Sequence, residues 1–440
     1  MRMSRVFATG LGDQNMVIED VRIATETTGR KQPKTTEVLV LSVRPKASQA
    51  GRCSRCRKRC PGYDAGGRAG DGIRRWRTLD VGTTKAYLQA AAPRVACGEH
   101  GVVVAHVPWA RPGAKHTWAF EDTCAWLAAH TALSVLTVLL RIAWRTVAAI
   151  VTRVVADGRD TNDLLAGLSR IGIDEIAYRK GHRYLTCVVD HTTGRLVWAG
   201  EGRNQDTLGR FFDQLGAERA KLLTHVSCDG AEWIHALVRA RAPQALICLD
   251  AFHVVVWAMK ALDKVRVRTM IRAGITDRHA MWATRKNPPE LTTEQRTSFA
   301  EIADTNKTLY RAYLLKEQLR EVFRVKGTHG RQLLAGWLSW ASHSRIPEFA
   351  ALARSIRRYR DLIWNTLDHG LSNARSETTN THLRALTKRA YGFHSPDALI
   401  AMALLTRGGL CPALPSIFHA IPRLRVSLTR KVHCRKDNRT

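Results

Sequence analysis

Three carboxylates in the chain stand where strands are expected to carry or end on an acid, or where a late helix begins. They are Asp174 in "IGIDE", Asp229 in "VSCDGA" and Glu377 in "SNARSET". Acids aimed at one point repel each other and hold protons unless a counter-charge is present. Two hard cations with oxygen ligands, Mg²⁺ for choice with Mn²⁺ as a substitute, remove that conflict. Such a pair activates a water or a DNA 3′-hydroxyl and stabilises the leaving oxygen during in-line attack on a phosphodiester. In that arrangement Asp174 bridges both ions, while Asp229 and Glu377 hold one each. Taken singly the acids have ordinary readings: Asp before Gly is a turn residue, and an acid after a strand caps a helix. Glu175 and Asp190 are read that way, although a register slip in "TCVVD" would bring Asp190 to the metals instead of Asp174.

A second ligand set lies near the amino terminus. "CSRC" (Cys53, Cys56) and "CGEH" (Cys97, His100) are two pairs with two residues inside each, which suits Zn²⁺ in a closed tetrahedral structural site. The gap between the pairs is long for a compact finger, and Cys60 is an alternative fourth ligand.

The elements that must position these residues follow in order. One strand, "EVLVLSVRP", precedes the Cys pairs, and "RRWRTLDVG" and "KAYLQAAAPRVA" between them read as short strands and turns. Residues 118–157 read as helices. With a break near residues 142–144, "SVLTVLLRIA" and "WRTVAAIVTRVVADG" resemble a helix-turn-helix without the usual Gly, two packed core helices being the other reading. The surrounding basic charge favours DNA, with Arg141, Arg145, Thr146 and Arg153 as candidate contacts. "IGIDEIA", "RYLTCVVD" and "LVWAGEG" form a three-strand meander. A helix, the strand "HVSCDGA", a second helix and the strand "ALICLDAFHV" follow, which is the order of an RNase H-like α/β fold. From about residue 255 to 370 the pattern is helical. Cys187, Cys228 and Cys248 fall on strands and are expected to be buried and unreactive.

Composition bounds the partner. Lys and Arg number 69 against 38 Asp and Glu, a net charge of +31. The excess is spread over several segments, which implies a polyanionic partner, nucleic acid being the commonest, against the alternative of a solvated basic surface with no specific partner. A chain of 440 residues is expected to hold two or three domains. No membrane span is expected, because Arg141 and Arg145 break the longest apolar stretch. Arg2 and Arg5 are followed by no apolar h-region, so no secretory signal is read. The ten cysteines are expected to be reduced, which favours metal binding over disulfides.

The residues from "CSRC" and "CGEHG" through "WRTVAAIVTRV" to "SNARSETTNTHLRALTKRAYGFHS" resemble an insertion-sequence transposase of the ISL-three group, within the DDE superfamily. The resemblance implies a Cys/His module that binds zinc and, with the helix-turn-helix, recognises terminal inverted repeats. It implies Asp174, Asp229 and Glu377 as the catalytic acids, and a helical insertion in the 148 positions from Asp229 to Glu377. "LDAFHV" is similar to a motif after the second acid in related transposases. Its Asp250 and His253, with Asn373 and Asn380 around Glu377, are possible accessory residues kept outside the metal set, and capping, packing or surface roles are open for them.

The resulting division is 1–112 for the strand and zinc module, 113–168 for the helix-turn-helix region, 169–255 and 370–440 for the two parts of the catalytic core, and 256–369 for the insertion. The implied reaction is cleavage at transposon ends followed by attack of the freed 3′-hydroxyl on target DNA. A homodimer or higher multimer on DNA is implied, in the bacterial cytoplasm and nucleoid and without a membrane. Two rivals are a DNA-binding regulator in which the acids are relics, and a stand-alone RNase H-like nuclease.

Overall fold

The computed structural model describes residues 15–28, 33–66, 72–273, 284, 286, 290–371, 374–390 and 393–414. The chain divides into two compact units, the first reaching from the amino terminus to Leu127 and the second spanning Ala128–Cys411.

In the first unit, strand β1 (Met16–Thr28) pairs antiparallel with β2 (Lys34–Pro45). β3 (Gly62–Asp64) is followed by the hairpin β4 (Ile73–Arg77) and β5 (Lys85–Ala91), then by β6 (Arg94–Cys97) and β7 (Gly101–Val104). The order β1-β2-β5-β4 makes one sheet and β3-β6-β7 another. The unexpected strand is β1. Its exposed positions mix Glu19, Asp20, Arg22 and Thr25 with Ile23, and a bulge between Ile18 and Asp20 shifts the alternation, so no clean period-2 pattern marks it. The sheet closes on Leu41, Val43, Leu88, Trp76 and Trp109, the two indoles meeting edge to face at 5.5 Å. The long gap between the Cys pairs is thereby explained: nearly half of it is the β4–β5 hairpin, which belongs to the larger sheet.

Helix α1 (Trp118–His130) leads out of this unit. In the second unit α2 (Leu133–Leu140) and α3 (Trp144–Thr161) meet at 100°. That angle is the one a helix-turn-helix uses. No Gly is needed because Arg141 itself takes the left-handed conformation, φ +52°, at a cost of about 1 kcal/mol. Among the described residues no single helix is long and apolar enough to cross a membrane.

The sheet that follows has β8 (Arg170–Arg179), β9 (Arg183–Asp190), β10 (Leu196–Glu201), β11 (His225–Cys228) and β12 (Leu246–Leu249) in the order β10-β9-β8-β11-β12. The first three strands are antiparallel neighbours, while β11 runs parallel to both β8 and β12. The chain therefore forms the mixed five-stranded sheet of an RNase H-like core. Helices α4 (Gln205–Leu215), α5 (Ala217–Ala220) and α6 (Glu232–Arg241) complete it, and Gly216, at φ +81°, breaks what reads in the sequence as one helix. Phe211, Phe212, Ile234 and Val238 pack against Ile171, Ile173 and Val226 on one face.

The helical segment then begins with α7 (Ala251–Ala273) and continues through α8 (Thr293–Thr305), α9 (Lys307–Val325), α10 (Gly327–His343), α11 (Pro347–Arg358) and α12 (Arg360–His369). Its own core centres on Trp337, Phe349, Leu315 and Leu319. The segment docks on the edge strand, where Asn365 Nδ2 donates to the Ile247 carbonyl (2.9 Å) and Thr366 Oγ1 to that of Leu249 (2.6 Å). Those donors occupy carbonyls that an open sheet edge would leave free. Two last helices, α13 (Ala374–Arg389) and α14 (Pro396–Arg407), pack on β8–β9 and on β10 respectively.

Candidate active site and zinc centre

The amino-terminal ligand set is assembled by a tight loop and a hairpin. Cys53 begins a knuckle in which its carbonyl accepts from Arg57 N–H (3.0 Å) and its Sγ from Arg55 N–H (3.4 Å), with Arg57 left-handed at φ +62°. Cys97 ends β6 opposite Gly101, and His100 sits in the turn between them. The ligand atoms of Cys53, Cys56, Cys97 and His100 all lie within 4.8 Å of one another. Cys56 Sγ to Cys97 Sγ is 3.7 Å, and His100 Nδ1 lies 3.8 Å from Cys53 Sγ and 3.6 Å from Cys97 Sγ. A tetrahedral zinc with bonds near 2.3 Å to sulfur and 2.0 Å to nitrogen requires edges of roughly 3.6–3.8 Å. The four groups fit that ion. Cys60 stays outside, its thiol donating to the Lys58 carbonyl at 3.4 Å.

The acids of the second unit are ordered by strand register. Ser227 pairs with Gly172 on β8, and Cys228 with Leu249 on β12. One step past Cys228 is Asp229, which falls level with Asp250 on one side and with Asp174 on the other. Adjacent strands are about 4.8 Å apart, so Asp229 and Asp250, each just past the carboxyl end of its strand, stand beside Asp174 in the middle of β8, and the first two lie where open α/β sheets bind ligands. Helix α13 crosses β8 and carries Glu377 and Asn380 to the same place, and Asn380 Nδ2 donates to Asp174 Oδ2 at 2.7 Å.

This crowding shifts the acids. Burial, with Asp250 and Asp229 nearby, holds the Asp174 carboxyl up at about 6. Burial and the charges of Asp250 and Asp174 also raise Glu377, whose buried Oε1 has no hydrogen-bond partner. Asp250 is 1% exposed. Its carboxylate caps α7 by accepting from Phe252 N–H (3.2 Å) and receives His253 Nδ1 at 2.8 Å. That bond, and the fields of Asp229 and Asp174, raise the His253 imidazole. Oxygen-rich, negatively charged and holding an orphaned carboxylate oxygen, the cluster has the donor set of hard divalent cations.

The helix-turn-helix candidates are spread over its turn and second helix. Arg141 forms the turn, Arg145 and Thr146 open α3, and Arg153 lies two turns further on. Arg141 and Arg145 are exposed, Thr146 and Arg153 half-buried.

Comparison with known proteins decides the family. A profile described as "Transposase" matches residues 171–403. The chain belongs to the ISL3 transposase family. A "Helix-turn-helix domain of transposase family ISL3" matches residues 105–155, and a "zinc-finger of transposase IS204/IS1001/IS1096/IS1165" matches 49–100. The chain is 48% identical to "Transposase for insertion sequence element IS1557" of Mycobacterium tuberculosis, over 94% of its own length and 98% of the relative's. It is 26% identical to "Transposase for insertion sequence element IS1001" of Bordetella parapertussis, over 74% and 82%. It is thus a DDE-type transposase of an insertion sequence, with a zinc ribbon and a helix-turn-helix ahead of its DDE domain.

Within this transposase fold, the structure brings Asp174, Asp229, Glu377, Asn380, Asp250 and His253 into one electrostatic neighbourhood, and the capping role open for Asp250 is also realised. Asn373 lies outside the described residues. Asp190 is elsewhere. It pairs with Ile171, on the opposite sheet face from Asp174, and its carboxylate is occupied by Thr192 N–H (2.9 Å) and by Thr193 N–H (3.0 Å) and Oγ1 (2.6 Å). Glu175 is neither cap nor turn. It lies inside β8, bonded to Arg203, and burial together with Asp229 lifts its carboxyl to about 7. A sequence signal for Asp250 exists: "VSCD" and "ICLD" are two short apolar runs that both stop on Asp. Cys187 and Cys248 are buried and pushed up to about 12, so neither is a thiolate.

Proposed function

We propose that this transposase binds the terminal inverted repeats of its element through the zinc ribbon and helix-turn-helix, and cleaves and joins DNA at Asp174, Asp229 and Glu377 with two Mg²⁺ ions. The observation that carries this reading is the register alignment of Asp174 with Asp229 beneath a helix that holds Glu377 with an unpartnered buried oxygen. When bound, the ions supply Lewis-acid stabilisation of the attacking and leaving oxygens. Asp174 would bridge them, Asp229 and Glu377 would hold one each, and Asn380 fixes the Asp174 carboxylate. The net charge of +31 and the helix-turn-helix suit binding to DNA, and processing two ends and a target together calls for a homodimer or higher multimer. Incubation with labelled duplex carrying the gene's own flanking ends tests the reading. Mg²⁺-dependent nicking at the end is expected; binding without nicking in Mg²⁺ or Mn²⁺ would favour the DNA-binding regulator.

Two further outcomes are expected. Replacing Asn380 with Ala removes the donor that orients Asp174, and cleavage should fall about 10- to 100-fold with end binding unchanged. A kcat loss below twofold would remove Asn380 from the site. The second concerns pH. A carboxyl held near 6 is mostly protonated at pH 5.5 and almost fully ionised at pH 8. Because the folded value is raised, metal-free Asp174 disfavours folding above about pH 6 and ceases to do so as the pH falls toward 4. Mg²⁺ must displace that proton, so the Mg²⁺-induced rise in Tm should be larger at pH 8 than at pH 5.5. Equal rises at both would argue against these acids as the ligands.

A further inference from the structure

A groove of about 850 Å³ opens in the second unit, and its walls include Trp144, Arg145, Tyr178, Arg179, Phe393 and His394. Among the described residues no carboxylate lines it, and Arg145 and Arg179 form no ion pair there. The Tyr178 hydroxyl donates to Glu201 Oε1 at 2.9 Å, which fixes that ring. Two elements lead to the groove from the carboxylate cluster. Tyr178 lies four residues beyond Asp174 on β8, about 13 Å along a strand. Thr387, also on the wall, lies ten residues beyond Glu377 on α13, about 15 Å along a helix. Either path equals about four stacked nucleotides of one strand. The opposite wall is the start of the second helix of the helix-turn-helix.

Aromatic faces serve little purpose against a duplex, whose bases stack on one another and present only edges and phosphates. Flanked by unpaired guanidinium groups, they form the stacking platform and cationic wall that hold single-stranded nucleic acid. We propose that this groove takes unpaired nucleotides at the transposon end, with bases stacking on Trp144 and Phe393 and phosphates meeting Arg145 and Arg179. The inference rests on the end-binding reading above. It adds that the strand between the helix-turn-helix and the carboxylates is held open.

The test compares full-length protein binding to a blunt duplex of the element's own end with the same duplex carrying four unpaired nucleotides. Wild type should bind the overhang about five- to a hundredfold more tightly. Phe393→Ala should abolish most of that preference while leaving blunt-duplex affinity unchanged, and Arg179→Glu, at an exposed strand position, should do the same without touching the core. A preference that survives both changes overturns the proposal, as does a parallel loss on blunt DNA, which would mean that the groove grips paired strands. Normal blunt-end binding without any overhang preference overturns the groove alone. Failure of wild type to bind the blunt end overturns the end-binding reading itself.

Discussion

Asp229→Asn should lower Mg²⁺-dependent nicking about a thousandfold or more and leave affinity for end duplex within twofold. The substitution keeps the shape of the side chain and the acceptor that receives Ala231 N–H at 3.0 Å, so the strand-to-helix turn after β11 is preserved. What it removes is one negative charge at the point where Asp174 and Asp250 stand level with it. A preorganised electrostatic group is worth about 10²–10³ in rate by itself, and loss of a metal ligand adds the cost of a misplaced ion. The measurement is single-turnover nicking of labelled ends, with a gel-shift titration on the same preparation. Wild-type rates in the variant would remove Asp229 from the metal site. Equal loss of binding and nicking would mean that the change had damaged the fold.

The second large effect concerns the zinc ribbon. Apparent zinc free energies in small structural sites are about 10–16 kcal/mol, as large as the whole stability of an ordinary domain. The β3-β6-β7 sheet that carries Cys97 is only three short strands, too small to stand without its ion. Cys97→Ser is therefore expected to release zinc, open the Cys53 loop and the β3-β6-β7 sheet to proteolysis while the β4–β5 hairpin stays in the larger sheet, and abolish end binding. The Mg²⁺-dependent thermal shift of the second unit should persist. Cys60→Ser supplies the control: its thiol lies outside the quartet, so zinc content measured by atomic absorption should stay at one per chain. Retention of zinc and of protease resistance in the Cys97 variant would show that the ribbon is held by its strands.

How much of this was legible in the sequence depended on what kind of force shapes each part. Meander strands β8, β9 and β10 carry short runs of buried β-branched and apolar residues, broken in β8 only by Asp174 and Glu175 before Ile176 resumes it, and those runs are plain in the letters. Strand β1 carries a bulge after Ile18 and an exposed Ile23 among its polar residues, so its pairing with β2 rather than its own pattern makes it a strand. The zinc quartet could be named since covalent ligand spacing is local. Whether Cys60 belonged to it could not, because the choice is made by the fold of the β6–β7 hairpin. Asp190 and Asp174 were separable only by register: a residue's sheet face follows from pairing, and Asp190 lies opposite Ile171. Asp250 could be named from the sequence as an accessory residue, but its place level with Asp229 could not, for the same reason. Its alignment with Asp229 is a property of two strands side by side, which no window along one strand contains. Arg141 adopting a left-handed turn is a tertiary override of a local preference.

The bond between Asn380 and Asp174 spans 206 positions. During synthesis the ribosome therefore releases the zinc ribbon, the helix-turn-helix and all five strands of the core sheet before the helix bearing Glu377 exists. A growing chain, or one broken anywhere in the helical segment, possesses the parts that hold DNA and two acids of the proposed trio, but lacks the third. On the reading offered above, such a chain grips an end without cutting it. Chromosome damage by half-made protein is then prevented by the order of the gene's own codons, with no inhibitor required.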